Sequence, residues 1–129
     1  MIDANNKAFS TRKRLKSFVY AYRGILYLLR TQHNTWIHLG FTCVALALGV
    51  CFSITLAEWI AIILCIGIVF AAETFNTSIE LLCDARFTEY DKRAEIIKDT
   101  AAGAVLIVSI ASAIVGAIIF LPKLIELLK

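Results

Sequence analysis

Three long runs of residues without a charged side chain dominate the chain. They cover residues 39–57, 59–72 and 100–122. A helix needs about 20 predominantly apolar residues to cross a bilayer, and the second run continues as a helical pattern beyond its last apolar residue. We therefore predict an all-α membrane protein with three transmembrane helices, at about residues 35–54, 57–84 and 99–121.

The segment before the first predicted span has a different pattern. Lys16, Arg23 and Arg30 recur every seven residues on one helical face. Apolar residues recur at helical spacing on another face, namely Leu15, Phe18, Val19, Tyr22, Ile25, Leu26 and Leu29. This pattern predicts an amphipathic helix at about residues 10–31 that lies in the membrane interface. A helix packed against a soluble core is the alternative.

The composition indicates one small membrane domain over residues 1–129. Hydrophobic side chains make up 60% of the chain, and the mean hydropathy is +0.78. A soluble domain of this size has too little interior to bury so much apolar surface. The four cysteines form no CxxC pair and there are two histidines, so we expect neither a disulfide framework nor a zinc site.

Basic residues are unevenly distributed around the predicted spans. Seven of the thirteen Lys and Arg residues precede Trp36, and four more lie between residues 86 and 98. The connection between the first two spans has none. Because cytoplasmic segments are enriched in Lys and Arg, we expect the N-terminus and the loop at residues 85–98 to face the cytoplasm, where ATP is available.

One face of the second predicted span carries polar side chains. At helical spacing these are Glu73, Asn76, Thr77, Glu80 and Asp84. A charge at the centre of a bilayer costs at least about 2.5–3.5 kcal/mol, so a chain with no use for Glu73 would be more stable without it. We interpret the stripe as a polar pocket that binds Mg²⁺ and, through it, a nucleotide phosphate. The alternative is a helix that emerges into the cytoplasm with a solvated acidic face.

A second cluster lies at the predicted start of the third span. Lys98 is a candidate for contact with phosphate, whereas Asp99 is either a further site residue or only a helix cap. The small residues at 101–104 would let a ligand approach the backbone closely. The chain has no GxxxxGK[ST] loop and no protein-kinase motifs, so a bound nucleotide would use neither common phosphate site.

The third predicted span also carries small residues four positions apart. One row contains Ser109, Ala113 and Ala117, and another contains Ser112 and Gly116. Such rows let helices approach closely in lipid. Since three spans offer little interior to shield polar groups, we expect self-association.

The two polar clusters together resemble those of the prokaryotic diacylglycerol kinase and undecaprenol kinase family. The matching motifs are Glu73-x-x-Asn76-x-x-Ile79-Glu80 with Asp84, and Lys98-Asp99-x-x-Ala102-Gly103-Ala104-Val105. The resemblance extends over nearly the whole chain. It implies a homotrimeric enzyme of the bacterial inner membrane with a surface helix, three spans and a cytoplasmic active site. The implied partners are ATP with Mg²⁺, a membrane lipid and the bilayer, with no nucleic acid.

The resemblance also implies roles for individual residues. Glu73 would be the catalytic base, and the metal ligands would be Glu80 and Gln32. The residues on the lipid side would be Lys13, Glu73, Asn76 and Ala102. The residues on the ATP side would be Lys13, Tyr20, Gln32, Glu80, Glu89, Tyr90, Asp91, Lys98 and Asp99.

The chain departs from the family pattern at two positions. Gln32 stands where many members have a glutamate, and its amide oxygen would bind a cation without charge. Lys13 stands where some relatives have arginine, and it offers a point charge in place of a bidentate fork. From the resemblance we predict phosphorylation of diacylglycerol to phosphatidic acid. Undecaprenol is the alternative acceptor, and a non-catalytic membrane scaffold is the alternative to an enzyme.

Overall fold

The computed structural model describes residues 11–129, with side chains from residue 14 onward, and it is all-helical over this range. The four helices are α1 (Thr11–Thr31), α2 (His33–Cys51), α3 (Leu56–Arg86) and α4 (Lys92–Leu127). The helices α2, α3 and α4 are long and apolar enough to cross a membrane. The three predicted spans are therefore confirmed as helices, although α4 extends beyond the predicted segment at both ends.

The N-terminus of α4 lies seven residues before the predicted start of the third span. Asp91 is the N-cap, and its Oδ1 accepts a hydrogen bond of 2.8 Å from the backbone N–H of Arg93. Asp99 lies inside the helix. The interpretation of Asp99 as a cap is therefore wrong, because Asp91 already satisfies the free backbone donors that a cap serves.

The C-terminus of α4 also lies beyond the prediction. The helix passes through Pro122 and ends at Leu127, although proline removes one backbone donor. The Nζ atom of Lys123 lies 3.2 Å from Oε1 of Glu58 in the first turn of α3. This ion pair links the part of α4 that follows Pro122 to the first turn of α3.

A tight connection joins α2 to α3. Ser53 has a φ of 47°, and Thr55 begins α3 with a capping box. In the box, the Thr55 backbone N–H donates to Oε2 of Glu58 at 2.7 Å, and the Glu58 N–H donates to Oγ1 of Thr55 at 3.3 Å. These bonds satisfy donors at both residues, so the box fixes the direction in which α3 leaves the turn.

A small apolar core lies beside this connection. Its buried members are Ile54, Ile62, Ile119 and Phe120. Gly49 of α2 makes the closest approach, since a Cβ atom at this position would lie 2.7 Å from Cη2 of Trp59. A glycine is therefore needed here for α2 to pack against the start of α3.

The helices α3 and α4 form an antiparallel hairpin, which is the most extensive packing in the chain. Ion pairs join them at both ends, between Asp84 and Lys98 and between Glu58 and Lys123. Most large apolar side chains of α2, α3 and α4 are exposed in the single chain. Such outward apolar surface is expected of helices that face lipid or another copy of the chain.

The helix α1 packs against α2 and α3 through its C-terminal part. Leu28 is buried there, and Nε1 of Trp36 donates a hydrogen bond of 2.9 Å to the backbone oxygen of Leu29. The apolar side chains nearer its start, among them Leu15 and Phe18, are exposed. The location of α1 in a membrane interface stays a prediction.

Candidate active site

The polar stripe of α3 is mostly buried. Glu73 is 2% exposed, Asn76 is 8% exposed and Thr77 is 4% exposed. Glu80 is half-buried and only Asp84, at the last turns of the helix, is exposed. The alternative interpretation, a solvated acidic face, therefore describes Asp84 but is wrong for Glu73, Asn76 and Thr77.

Several buried oxygen atoms of this region have no hydrogen-bond partner. On α3 they are Oε2 of Glu73, Oδ1 of Asn76 and Oγ1 of Thr77, and on α4 it is Oγ of Ser109. Buried polar atoms are nearly always paired, and an unpaired one costs about 1–3 kcal/mol. A ligand bound beside the atoms of Glu73, Asn76 and Ser109 would supply their missing partners.

Three of these side chains, those of Glu73, Asn76 and Ser109, border a cavity of about 300 Å³ between α2, α3 and α4. Its polar lining consists of Glu73, Asn76, Asn34, His38 and Ser109, and Ala102 forms part of its wall. Three of the four residues predicted to contact the lipid, Glu73, Asn76 and Ala102, are thus brought together. The side chain of the fourth, Lys13, lies outside the described residues.

An apolar groove of about 340 Å³ adjoins the polar cavity. It runs along α4 past Ser112 and Gly116 to Phe120, and α2 and α3 contribute side chains such as Leu48 and Val69. Its lining is mostly hydrocarbon, with polar side chains at His38, Thr42, Ser109 and Ser112. A molecule with a polar end and an apolar chain can therefore place one part in each space.

The loop between α3 and α4 holds three of the nine residues predicted to bind ATP, Glu89, Tyr90 and Asp91, and Lys98 and Asp99 lie in the first turns of α4 that follow. Lys98 forms an ion pair with Asp84, and the hydroxyl of Tyr90 donates to Oε2 of Glu95 at 2.5 Å. Because Glu95 accepts this bond, the pKa of Tyr90 is raised. Glu89 is exposed at the same end of the hairpin. In the single chain Tyr90 and Lys98 are therefore bonded to other side chains, those of Glu95 and Asp84.

Asp91 is held in its ionised form by Arg93. The Nη2 atom of Arg93 donates to Oδ2 of Asp91 at 2.7 Å, and the backbone N–H of Arg93 donates to Oδ1. These bonds lower the pKa of Asp91 to about 2. Asp91 therefore stabilises the first turn of α4, and a role in binding ATP has no separate structural support.

The remaining predicted residues are distributed around this end of the molecule. Tyr20 is exposed on α1, and Asp99 is exposed on α4. Gln32 lies between α1 and α2, where it is half-buried, and its backbone N–H donates to the oxygen of Leu28 at 3.0 Å. No bond joins Gln32 to Glu80 among the hydrogen bonds of the described side chains.

Glu80 has the chemistry required of a magnesium ligand. It is a half-buried carboxylate, and its Oε1 accepts a hydrogen bond of 3.0 Å from Nδ2 of Asn76. Within the side chains that the structure describes, no three His, Cys, Asp or Glu residues form a metal-binding cluster. Magnesium commonly uses one or two protein carboxylates and takes its other oxygens from water and nucleotide phosphates, so this sparse donor set fits Mg²⁺ bound with ATP.

Sequence reasoning did not identify His38 or Ser109 as site residues. His38 follows Asn34 by one helical turn, so both residues lie on the same face of α2. That spacing was a usable signal. Ser109 was interpreted only as a small residue at a helix contact, and nothing in the sequence alone distinguishes it from Ser112.

Comparisons with known proteins place the chain in a family. The model of the family described as prokaryotic diacylglycerol kinase matches residues 19–120. The undecaprenol kinase of Bacillus subtilis (strain 168) is 37% identical over 123 residues, which are 95% of this chain and 100% of that protein. The diacylglycerol kinase of Synechocystis sp. is 39% identical over 116 residues, which are 88% of this chain and 66% of that protein. The chain therefore belongs to the prokaryotic diacylglycerol kinase family.

Proposed function

We propose that this protein transfers the γ-phosphoryl group of ATP to the hydroxyl group of a membrane lipid. The observation that carries this proposal is the buried carboxylate of Glu73. Its Oε2 atom has no hydrogen-bond partner and borders a polar cavity that adjoins an apolar groove. A lipid alcohol in these two spaces would have its hydroxyl beside Glu73 and its chain among hydrocarbon side chains.

In this mechanism Glu73 acts as the general base. Its carboxylate accepts the proton of the lipid hydroxyl while the hydroxyl oxygen forms a bond to the γ-phosphorus. The bond from that phosphorus to the oxygen bridging to the β-phosphate breaks, and ADP leaves. General-base catalysis typically accelerates a reaction about 10²–10⁴-fold, and positioning and electrostatic stabilisation supply most of the rest in phosphoryl transfer.

ATP would bind at the cytoplasmic end of the hairpin. Lys98 would exchange Asp84 for a phosphate oxygen, and Glu80 with Gln32 would hold Mg²⁺ against the nucleotide. Magnesium would offset the negative charge that develops on the phosphate oxygens. The residues Tyr20, Glu89, Tyr90, Asp91 and Asp99, and Lys13 in the segment before the spans, would complete the nucleotide side.

The proposal includes a membrane setting and an assembly. The abundance of basic residues before α2 and between α3 and α4 supports a cytoplasmic N-terminus in the bacterial inner membrane. The apolar and basic faces of α1 support a position in the membrane interface. The homotrimer comes from the family resemblance, and the exposed apolar surface of the hairpin is compatible with a neighbouring copy that would shield the site from lipid.

Undecaprenol and diacylglycerol are the two candidate acceptors. The sequence prediction put diacylglycerol first. The relative named undecaprenol kinase, however, aligns over its whole length, whereas the relative named diacylglycerol kinase aligns over 66% of its length. These observations favour undecaprenol as the first acceptor to test.

The decisive experiment measures transfer of label from γ-labelled ATP to each lipid by purified protein in mixed micelles, with and without Mg²⁺. We expect magnesium-dependent labelling of at least one alcohol. The variant Glu73→Gln should lose at least about a hundredfold in turnover. The matched control is Glu126→Gln, which removes an exposed carboxylate near the end of α4. Absence of labelling of both lipids by the unmodified protein would favour the non-catalytic scaffold.

A further inference from the structure

Two of the described residues line both the polar cavity and the apolar groove. They are His38 of α2 and Ser109 of α4. A molecule that occupies both spaces would contact both of these side chains. The junction is therefore the place where the head of a lipid can be distinguished from its chain.

Ser109 has an unused hydroxyl at this junction. Its Oγ atom is buried without a partner. Ser112, one turn further along α4, differs in this respect because its Oγ donates to the backbone oxygen of Val108 at 2.7 Å. A serine in a helix can bond to its own backbone in this way. Ser109 does not, and its hydroxyl stays available to a ligand.

His38 faces the same cavity as the proposed base. It lies on α2 and Glu73 lies on α3, and both side chains line the polar cavity. The residues that α4 contributes to the cavity are uncharged, namely Ala102, Val105, Leu106 and Ser109. Among the described residues around this cavity, His38 and Asn34 of α2 carry N–H groups that can donate to Glu73 from another helix, and of these two only His38 also lines the apolar groove.

We propose that Ser109 binds the acceptor hydroxyl and that His38 is a positioning residue for Glu73. This inference rests on the proposed kinase function. The Ser109 hydroxyl donates a hydrogen bond to the lipid oxygen, and an N–H of His38 donates to the Glu73 carboxylate. The lipid O–H can then donate to the other carboxylate oxygen, which leaves a lone pair of the lipid oxygen free to face ATP. Each of the three spans contributes one group to this arrangement.

The test of Ser109 compares KM for the lipid alcohol with KM for ATP in the same variant. We expect Ser109→Ala to raise KM for the lipid alcohol about three- to tenfold, which corresponds to a neutral hydrogen bond, and to leave KM for ATP unchanged. The control Ser78→Ala removes an exposed hydroxyl that is already bonded to the backbone oxygen of Thr74. It should leave both constants unchanged. Equal KM values for the lipid in Ser109→Ala and the unmodified protein would overturn this assignment.

The test of His38 uses two substitutions of similar size. Leucine removes the N–H donor, whereas glutamine keeps one. We expect His38→Leu to lower kcat at least tenfold, and His38→Gln to stay within about threefold of the unmodified protein. A merely structural role would be served as well by leucine, so equal kcat values for the two variants would contradict the proposal. Thermal unfolding of each variant in detergent reports whether it has folded.

A binding measurement separates this inference from the proposed function. The unmodified protein and Ser109→Ala are titrated with the lipid alcohol in mixed micelles without ATP, and the rise of the unfolding temperature is recorded. We expect a smaller rise for Ser109→Ala. An unmodified protein that is active while both Ser109→Ala and His38→Leu behave like it would overturn the inference alone. An unmodified protein that phosphorylates neither alcohol would overturn the proposed function and the inference with it.

Discussion

The side-chain amide of Asn76 donates a hydrogen bond of 3.0 Å to Oε1 of Glu80, one turn further along α3. The other atom of that amide, Oδ1, is buried without a partner. Asn76 therefore joins the carboxylate proposed to bind Mg²⁺ to the cavity that contains Glu73. Its Nδ2 atom bonds within α3, whereas its Oδ1 atom is available to a ligand.

Replacement of Asn76 by leucine should lower the activity without lowering the stability. We expect kcat to fall at least about tenfold, because Glu80 loses the donor that orients it and the cavity loses an acceptor. The unfolding temperature should be unchanged or higher, since an unpaired buried oxygen is removed. Kinetics and thermal unfolding in the same detergent check both expectations. A lower unfolding temperature with a proportionate loss of activity would instead indicate that Asn76 only holds the fold.

The ion pair between Lys98 and Asp84 leads to a prediction about ATP. We expect Lys98→Gln to raise KM for ATP about ten- to a hundredfold, the usual strength of a charge-assisted hydrogen bond. Asp84→Asn should lower KM for ATP by no more than about fivefold, because an exposed ion pair contributes at most about 1 kcal/mol. Steady-state kinetics at fixed lipid concentration measures both constants. An unchanged KM in Lys98→Gln would exclude a contact between Lys98 and the nucleotide.

Gly49 should be intolerant of a side chain. A Cβ atom there would lie 2.7 Å from Cη2 of Trp59, so we expect Gly49→Ala to lower the free energy of unfolding by about 1–3 kcal/mol. Gly40→Ala on the same helix is the control, since nothing lies within 4 Å of its added Cβ. That variant should gain up to about 1 kcal/mol from helix propensity. Unfolding in detergent measures both, and equal stability of the two variants would refute the close approach.

Asp91 should titrate at unusually low pH. Its hydrogen bonds from Arg93 hold its pKa at about 2, below the ordinary value of 3.8. Because the folded pKa is the lower one, the ionised cap contributes to stability at a pH above about 4. That contribution is lost as the pH falls towards 2.

An NMR titration of the Asp91 carboxyl carbon in micelles measures this midpoint. Arg93→Gln removes the guanidinium and should move the midpoint towards 3.8. A midpoint near 3.8 in the unmodified protein would show that the bond between Asp91 and Arg93 does not persist in solution.

The sequence predicted the spans well because membrane helices depend on apolar length, which is readable without tertiary information. It predicted the start of α4 poorly. Asp91 and Asp99 are equally good caps as residue types, and only the fold shows that the helix had already begun before Asp99. The prediction placed the start of the helix where the uncharged run of residues 100–122 begins, which is too late by seven residues.

The candidate site was predicted in part for a similar reason. Glu73, Asn76 and Glu80 lie on one helix, so their spacing alone places them on one face. His38 and Ser109 lie on two other helices. Their approach to Glu73 depends on how α2 and α4 pack against α3, and a helical repeat carries no information about that packing.

The ion pairs at the two ends of the α3–α4 hairpin also determine the position of one helix along the other. One joins Asp84 to Lys98, and the other joins Glu58 to Lys123. If one helix slid past the other by a single turn, about 5.4 Å, both contacts would be lost together. The pairs thus oppose sliding of α3 along α4 and help to keep Glu73 and Ser109 in register across the hairpin.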